Sequence, residues 1–401
     1  MARLDLKVFA TLFFALFTVV TGVGVVVPLL PVYAHSLGAG GLYIGLIFGA
    51  FSLSRTILLP YFGRWSDRRG RRPFIVTGLA AYALISLAFM ISHSVGGLIA
   101  IRFIQGMASA MMMPVIQAYA GDITPQGREG VTMGLFNMAM FLGLSLGPVL
   151  GGLIKDRFSL NGAFGAMGLL SLVGFVLSMV FLPPTTRERA MQRPRTAVPW
   201  RRLIGNRGIA GLFFFRWSYA ACIGIMWGFL PVLADRDFGM SSATIGTLVM
   251  LGVLISGLMH LPMGMAADRV SKRLLMIVGG ILIGIGMFLF YAAASPMALV
   301  WASALVGLGG GISMPALMAV AVVKGSHSDA MGSVMSLITM AHSLGMLCGS
   351  LIAGVLMDLI TLRFAFPLGT VLMAAATAFL LLVPDRSPSA AQHLIPPPIE
   401  P

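Results

Sequence analysis

The sequence predicts an all-α membrane protein, with 12 transmembrane helices in two pseudo-symmetric six-helix bundles. Three observations carry that expectation. The 401 residues are 58% hydrophobic and only 10% charged, whereas soluble domains carry about 25% charged residues. The apolar residues fall into twelve runs of roughly 20, the length that crosses a hydrocarbon core of about 30 Å as a helix. A charged hairpin at Gly63–Pro73 returns in weaker form at Gly264–Arg273, about half a chain later. Lipid offers no hydrogen-bond partners to the backbone, which favours helices. Alternating strand patterns are absent, which argues against a barrel.

The expected spans are 8–31, 42–62, 73–92, 97–120, 130–153, 163–183, 209–233, 243–264, 273–293, 297–320, 331–356 and 365–383. The first run, Val8 to Leu30, is too long for a signal peptide, lacks a small-residue cleavage site and precedes many similar runs. It is therefore read as the first span. Cys222 and Cys348 lie inside apolar runs and read as small buried hydrophobes, not a disulfide framework. Twelve spans put both termini on one face. That face carries 20 Lys and Arg residues, the other only Lys155, Arg157, Arg236 and Arg363. The positive-inside rule then places both termini in the cytoplasm of an inner (plasma) membrane. The formal charge of +14 is thus an orientation signal rather than a nucleic-acid footprint.

The repeat is legible at fixed offsets. Pro31 matches Pro231, Gly45 matches Gly246, Asp67 matches Asp268, Pro114 matches Pro315 and Asp156 matches Asp358, each 200 to 202 residues apart. The expected organisation is an N-terminal bundle over 1–183, a cytoplasmic linker over 184–208, a C-terminal bundle over 209–383 and a disordered, proline-rich tail over 384–401. Parallel repeats of six spans are related by an axis along the membrane normal.

With these features the chain resembles the major facilitator superfamily over residues 5–385. The loop Gly63, Asp67, Arg68, Gly70, Arg71, Arg72 is similar to that family's motif A, and Gly264, Asp268, Arg269 is its weaker second copy, with Ser271 in place of the second glycine. Arg102, Gln105 and Gly106 resemble motif B. Gly143, Gly147, Pro148, Gly151 and Gly152 resemble motif C, which points to the twelve-span drug:proton antiporter branch. The resemblance implies that Gly63 lets the eleventh span approach, that Asp67 faces the N-terminus of that span, and that Arg71 pairs with Asp122. Such a cluster acts as a two-state latch between the halves. Trp65 stands where the family usually has a smaller aliphatic residue.

Physical chemistry gives these residue types their uses. Gly143, Gly147 and Gly151 share a helix face at four-residue spacing and permit close packing, while Pro148 removes a backbone hydrogen bond and permits a bend. That makes the fifth span part of the seam between the halves. Arg102 lies inside the fourth span, where a charge costs about 2.5–3.5 kcal/mol on insertion scales and normally faces the interior. Arg55 and Arg216 lie nearer the boundary, where snorkelling and function are both open readings. His260 is expected at the interface and His342 deeper, where it can titrate near neutral pH. Gln117 and Asn137 are polar candidates for a cavity wall, and 29 methionines suit an adaptable apolar pocket.

Every acid falls in a loop, a tail or a span end. The membrane-embedded carboxylate that proton-coupled drug antiporters often carry is therefore missing, and Asp122, Asp156, Asp358 or His342 would have to serve instead. The leading expectation is a secondary active transporter that exports hydrophobic or amphiphilic small molecules by alternating access, with protons as a candidate coupling ion. The alternatives are a lipid or lysolipid flippase, an exporter of an anionic metabolite or siderophore, and a non-transporting membrane sensor. No catalytic constellation, cofactor site, nucleotide loop or metal-spaced ligand set is visible, so an enzyme is disfavoured. The expected partners are a small amphiphilic substrate and the lipid bilayer, with no nucleic acid, and the expected state is a monomer.

Overall fold

A computed structural model describes residues 6–124, 129–183, 205–327 and 331–382. Most of the expected linker and almost all of the tail lie outside the described residues, as do the side chains of Arg64, Asp67, Asn137 and Asp268. Twelve helices are long and apolar enough to cross a membrane. They are α1 (Leu6–Ser36), α2 (Gly41–Arg69), α3 (Arg72–Ile91), α4 (Val95–Ile123), α5 (Glu129–Arg157), α6 (Leu160–Phe181), α7 (Arg207–Phe238), α8 (Ser242–Arg269), α9 (Lys272–Ala292), α10 (Pro296–His327), α11 (Met331–Leu359) and α12 (Ala365–Leu382), the last preceded by a 3-10 turn at Leu362–Phe364. No strand occurs among the described residues. Each expected span matches one helix to within a few residues, although several helices run on: α1 continues through Pro28 and Pro31 to Ser36.

Local chemistry sets the ends. Ser94, Ser159, Ser241 and Ser271 each accept a hydrogen bond from a backbone N–H in the first turn of the next helix, and Asn206 does the same for α7. These side chains satisfy donors that the helix itself leaves unpaired. Gly239, at φ 58°, ends α7 in a left-handed cap.

Helices α1–α6 and α7–α12 form two bundles with matching internal packing. In the first, α1 packs on α5 and α6, α2 on α4, and α3 on α6; in the second, α7 packs on α11 and α12, α8 on α10, and α9 on α12. The symmetry reaches single side chains. Phe89 stacks on Phe164 at 5.0 Å, and 201 residues on Phe290 meets Phe366 at 5.3 Å. Three pairs of internal prolines also match: Pro31 with Pro231, Pro60 with Pro262, and Pro114 with Pro315. Between the bundles two seams dominate, α2 against α11 and α5 against α8. Large apolar side chains such as Leu84, Leu172, Trp301 and Val371 stay exposed on the outside, as a lipid-facing surface requires.

Candidate transport pathway and its gates

The seams are closed at the face opposite the termini. Asp358, at the end of α11, accepts hydrogen bonds from the backbone N–H of Gly41 (2.6 Å) and Leu42 (2.8 Å), the first residues of α2. Asp156, at the end of α5, accepts from the N–H of Ser242 (3.2 Å) and Ala243 (2.7 Å), which open α8. Each carboxylate thus caps a helix of the other bundle, where unpaired N–H groups and the helix dipole both favour negative charge. Lys155 adds a bond from Nζ to Ser242 Oγ at 2.6 Å. Glycines bring the backbones together beneath these caps. A Cβ on Gly45 would collide with the carbonyl of Ser350, and one on Gly246 with the carbonyl of Pro148. Gly354 meets Gly41, and Gly152 meets Ser242, in the same way. Ser350 Oγ donates to the Gly45 carbonyl at 3.2 Å.

Deeper in the membrane the α5–α8 seam is carried by the Phe141 ring, 3.0 Å from where a Gly257 Cβ would sit and 4.9 Å from the His260 ring. His260 also lies on the seam between bundles; its Nδ1 lies 2.5 Å from the Ser256 carbonyl oxygen. Nothing lies within 4 Å of a Cβ built on Gly63 or Gly264. The close approach expected at Gly63 involves the first turn of α11, whose side chains at 331 and 332 lie outside the described residues.

Motif A holds its own bundle together. Arg71 Nε pairs with Asp122 Oδ2 at 3.1 Å, and its Nη1 donates to Ser66 Oγ at 3.2 Å. Arg72 Nη2 donates to the Met179 carbonyl at the end of α6, and Arg273 Nη2 to the Leu381 carbonyl at the end of α12 (2.7 Å). Cations suit these helix C-termini. Gly70 links α2 to α3 at φ 91°, ψ 159°, a backbone region nearly reserved for glycine. Its counterpart Ser271 has φ −54° and caps α9, which explains why the second copy lacks the glycine. Arg68 and Arg269 are exposed, and Arg69 lies 4.9 Å over the Trp65 ring.

Motif C divides its work. Gly143, Gly147 and Gly151 pack on Phe17, Thr21, Gly24 and Val25 of α1, inside one bundle. Only Pro148 and Gly152 face α8. The glycine stripe that the sequence suggests for the inter-bundle seam is thus mainly an intra-bundle contact, because residues 143, 147 and 151 occupy a different face of α5 from 148 and 152.

Three arginines lie within spans and differ in their surroundings. Arg102 is 2% exposed. Its Nη1 donates to Gln105 Oε1 at 2.7 Å, its Nε to the Ile47 carbonyl at 3.3 Å, and it lies over Phe51 (4.4 Å) and Phe48 (5.1 Å). Gly106, one turn on, touches the Phe51 carbonyl. Arg55 on α2 and Arg216 on α7 are less enclosed, and the Nε of each is buried without a hydrogen-bond partner. Arg216 Nη1 reaches only the Met314 sulfur, at 2.8 Å, and its guanidinium lies 5.7 Å from the Tyr219 ring. His342 lies on α11, which packs on both α2 and α7, and its Nδ1 is likewise buried and unpartnered. Among the described residues no carboxylate pairs with Arg55, Arg102 or Arg216. Gln117 is exposed and apart from this group. Tyr219 joins Arg216 unannounced; its one sequence signal is a polar edge within an apolar run.

Two six-helix bundles of membrane-length helices, packed on each other along the α2–α11 and α5–α8 seams, define a multi-pass membrane protein. The chain belongs to the Major Facilitator Superfamily, whose profile matches residues 12–233 and 212–398. An uncharacterized MFS-type transporter of Methanocaldococcus jannaschii is 28% identical over 364 residues, covering 90% of this chain and 93% of that protein. The quinolone resistance protein NorA of Staphylococcus aureus is 32% identical over 171 residues, 43% of this chain and 44% of NorA. Among solved structures, the nucleoside transporter NupG superposes with a TM-score of 0.76 at 14% identity, covering 93% of this chain and 97% of that one. The human organic anion transporter MFSD10 superposes at 0.65 and 20% identity, covering 93% and 99%. At these identities the structural likeness concerns the fold alone.

Proposed function

We propose that this transporter exports hydrophobic or amphiphilic small molecules, with the arginine-rich face and both termini in the cytoplasm. The observation that carries the reading is the pair of seams, capped by Asp156 and Asp358 at one face and without contact at Gly63 and Gly264 at the other. An exporter must present such a cytoplasm-facing state to load its substrate. The arginine excess on that face supports the orientation. The partial likeness to NorA supports efflux, and the methionines and aromatics of the interior suit substrates that vary in shape. Motif A acts as a latch between the bundles through Asp67 rather than through the Arg71–Asp122 pair, which lies within one bundle, and Asp67→Asn is expected to weaken transport while leaving membrane insertion intact.

Flux measurements in proteoliposomes, with and without an imposed pH gradient, test this reading. Accumulation of an amphiphile driven by the gradient fits proton-coupled export. Transport indifferent to the gradient removes the antiport mechanism, and no flux of any amphiphile removes the exporter.

A further inference from the structure

We propose that Arg55 and Arg216, one from each bundle, together with His342, bind an anionic group of the transported molecule, so that the substrate is an anionic amphiphile. The inference rests on the transport reading above and narrows it to a chemical class.

The contrast among the three membrane arginines carries the argument. Arg102 has two hydrogen-bonded partners and two aromatic rings; its charge is spent on holding α4 against α2. Arg55 and Arg216 have no such enclosure. Their Nε atoms are cut off from water yet make no hydrogen bond, and Arg216 is left with a thioether, a weak acceptor. A guanidinium held in an apolar interior without a counter-charge is disfavoured, and the usual remedy is a paired carboxylate. The described carboxylates are all at helix ends and engaged elsewhere: Asp122 with Arg71, Asp237 with Arg363, Asp156 and Asp358 with backbone N–H groups, while Asp235 lies three residues from the end of α7.

The missing counter-charge is thus supplied from outside the chain. Arginine's planar fork suits a carboxylate, sulfonate or phosphate. His342 adds a further donor on α11, the helix that packs on both α2 and α7, one turn from where Gly345 meets Trp217. Beside Arg216, Tyr219 and Met314 offer apolar surface for the rest of the molecule. Because α2 and α7 belong to different bundles, an anion bridging Arg55 and Arg216 is held differently as the bundles rock, so its binding is tied to the cycle.

Three probes of one shape test the site: pyrenebutyrate, its methyl ester, and a pyrenebutyl trimethylammonium, each titrated by fluorescence anisotropy into the purified full chain in nanodiscs. Pyrenebutyrate is expected to bind about thirtyfold more tightly than the ester, and Arg55→Gln or Arg216→Gln to remove that advantage without altering ester binding. Arg55→Lys and Arg216→Lys should retain part of it, and size-exclusion profiles check that each variant is folded. Equal or tighter binding of the ester or the cation overturns the proposal. So does wild-type binding of pyrenebutyrate by the glutamine variants, or no binding by any probe. The same compounds in the proteoliposome flux assay separate the two readings. Flux of the ester and cation without preference for the acid retains the transporter and removes the anion site. Binding of the acid without flux of any probe retains the site and removes the transport reading.

Discussion

Gly70 and Ser271 stand at the same place in the two halves and do opposite jobs. Gly70 supplies a positive φ that joins α2 to α3, while Ser271 caps α9 with its side chain. Gly70→Ala is expected to destabilise by about 1–3 kcal/mol, and Ser271→Ala by about 0.5–2 kcal/mol; thermal unfolding in detergent compares them. If both changes are neutral, the two turns are not held as described. Removing Arg102 should be more damaging than removing Arg216. Arg102→Met leaves Gln105 and the Ile47 carbonyl without their donor, whereas Arg216→Met removes a charge whose hydrogen bond goes to a thioether, a weak acceptor. A lower unfolding temperature for Arg102→Met and an unchanged or higher one for Arg216→Met is the expected pattern.

At the scale of the helix, α5 is the most constrained element. One face sits against α1 through three glycines and another against α8 through Pro148 and Gly152. Gly147→Val should therefore impair folding of the bundle, with loss of monodisperse protein. Gly246→Val, where the Cβ would strike the Pro148 carbonyl, should leave each bundle intact but force the α5–α8 seam apart. Limited proteolysis distinguishes damage within a bundle from separation between bundles. These elements show what the sequence makes legible. Run length and arginine distribution mark all twelve helices, since each is dictated by the bilayer rather than by tertiary detail. The offset near 201 pairs the landmarks. Which face of α5 meets which neighbour is not legible, because a four-residue glycine spacing says that a helix approaches but not whose helix it is. The position of His260 is hidden for a similar reason: hydropathy sets depth along a span, while rotation about the axis comes from packing.

For the whole molecule, the arrangement predicts opposed motions at the two faces. Spin labels at Arg68 and Arg269, both exposed on the arginine-rich face, should move closer when the protein turns outward. Labels at Gly96 and Met297 on the other face should move apart. The double variant Asp156→Ala, Asp358→Ala should shift both distance distributions in those directions without any ligand, since each cap is worth about 0.5–2 kcal/mol in favour of the observed state. Distributions that change together at both faces would contradict rocking about the central site. The two aspartates carry one more implication. Both bind main-chain N–H groups of the opposite bundle, so neither has a side-chain partner for evolution to vary in step with it. Covariation between the halves, and alanine substitution of Leu42, should therefore be blind to these clasps. Proline, which deletes the donor itself, is the one natural substitution at Leu42 or Ala243 expected to reveal them.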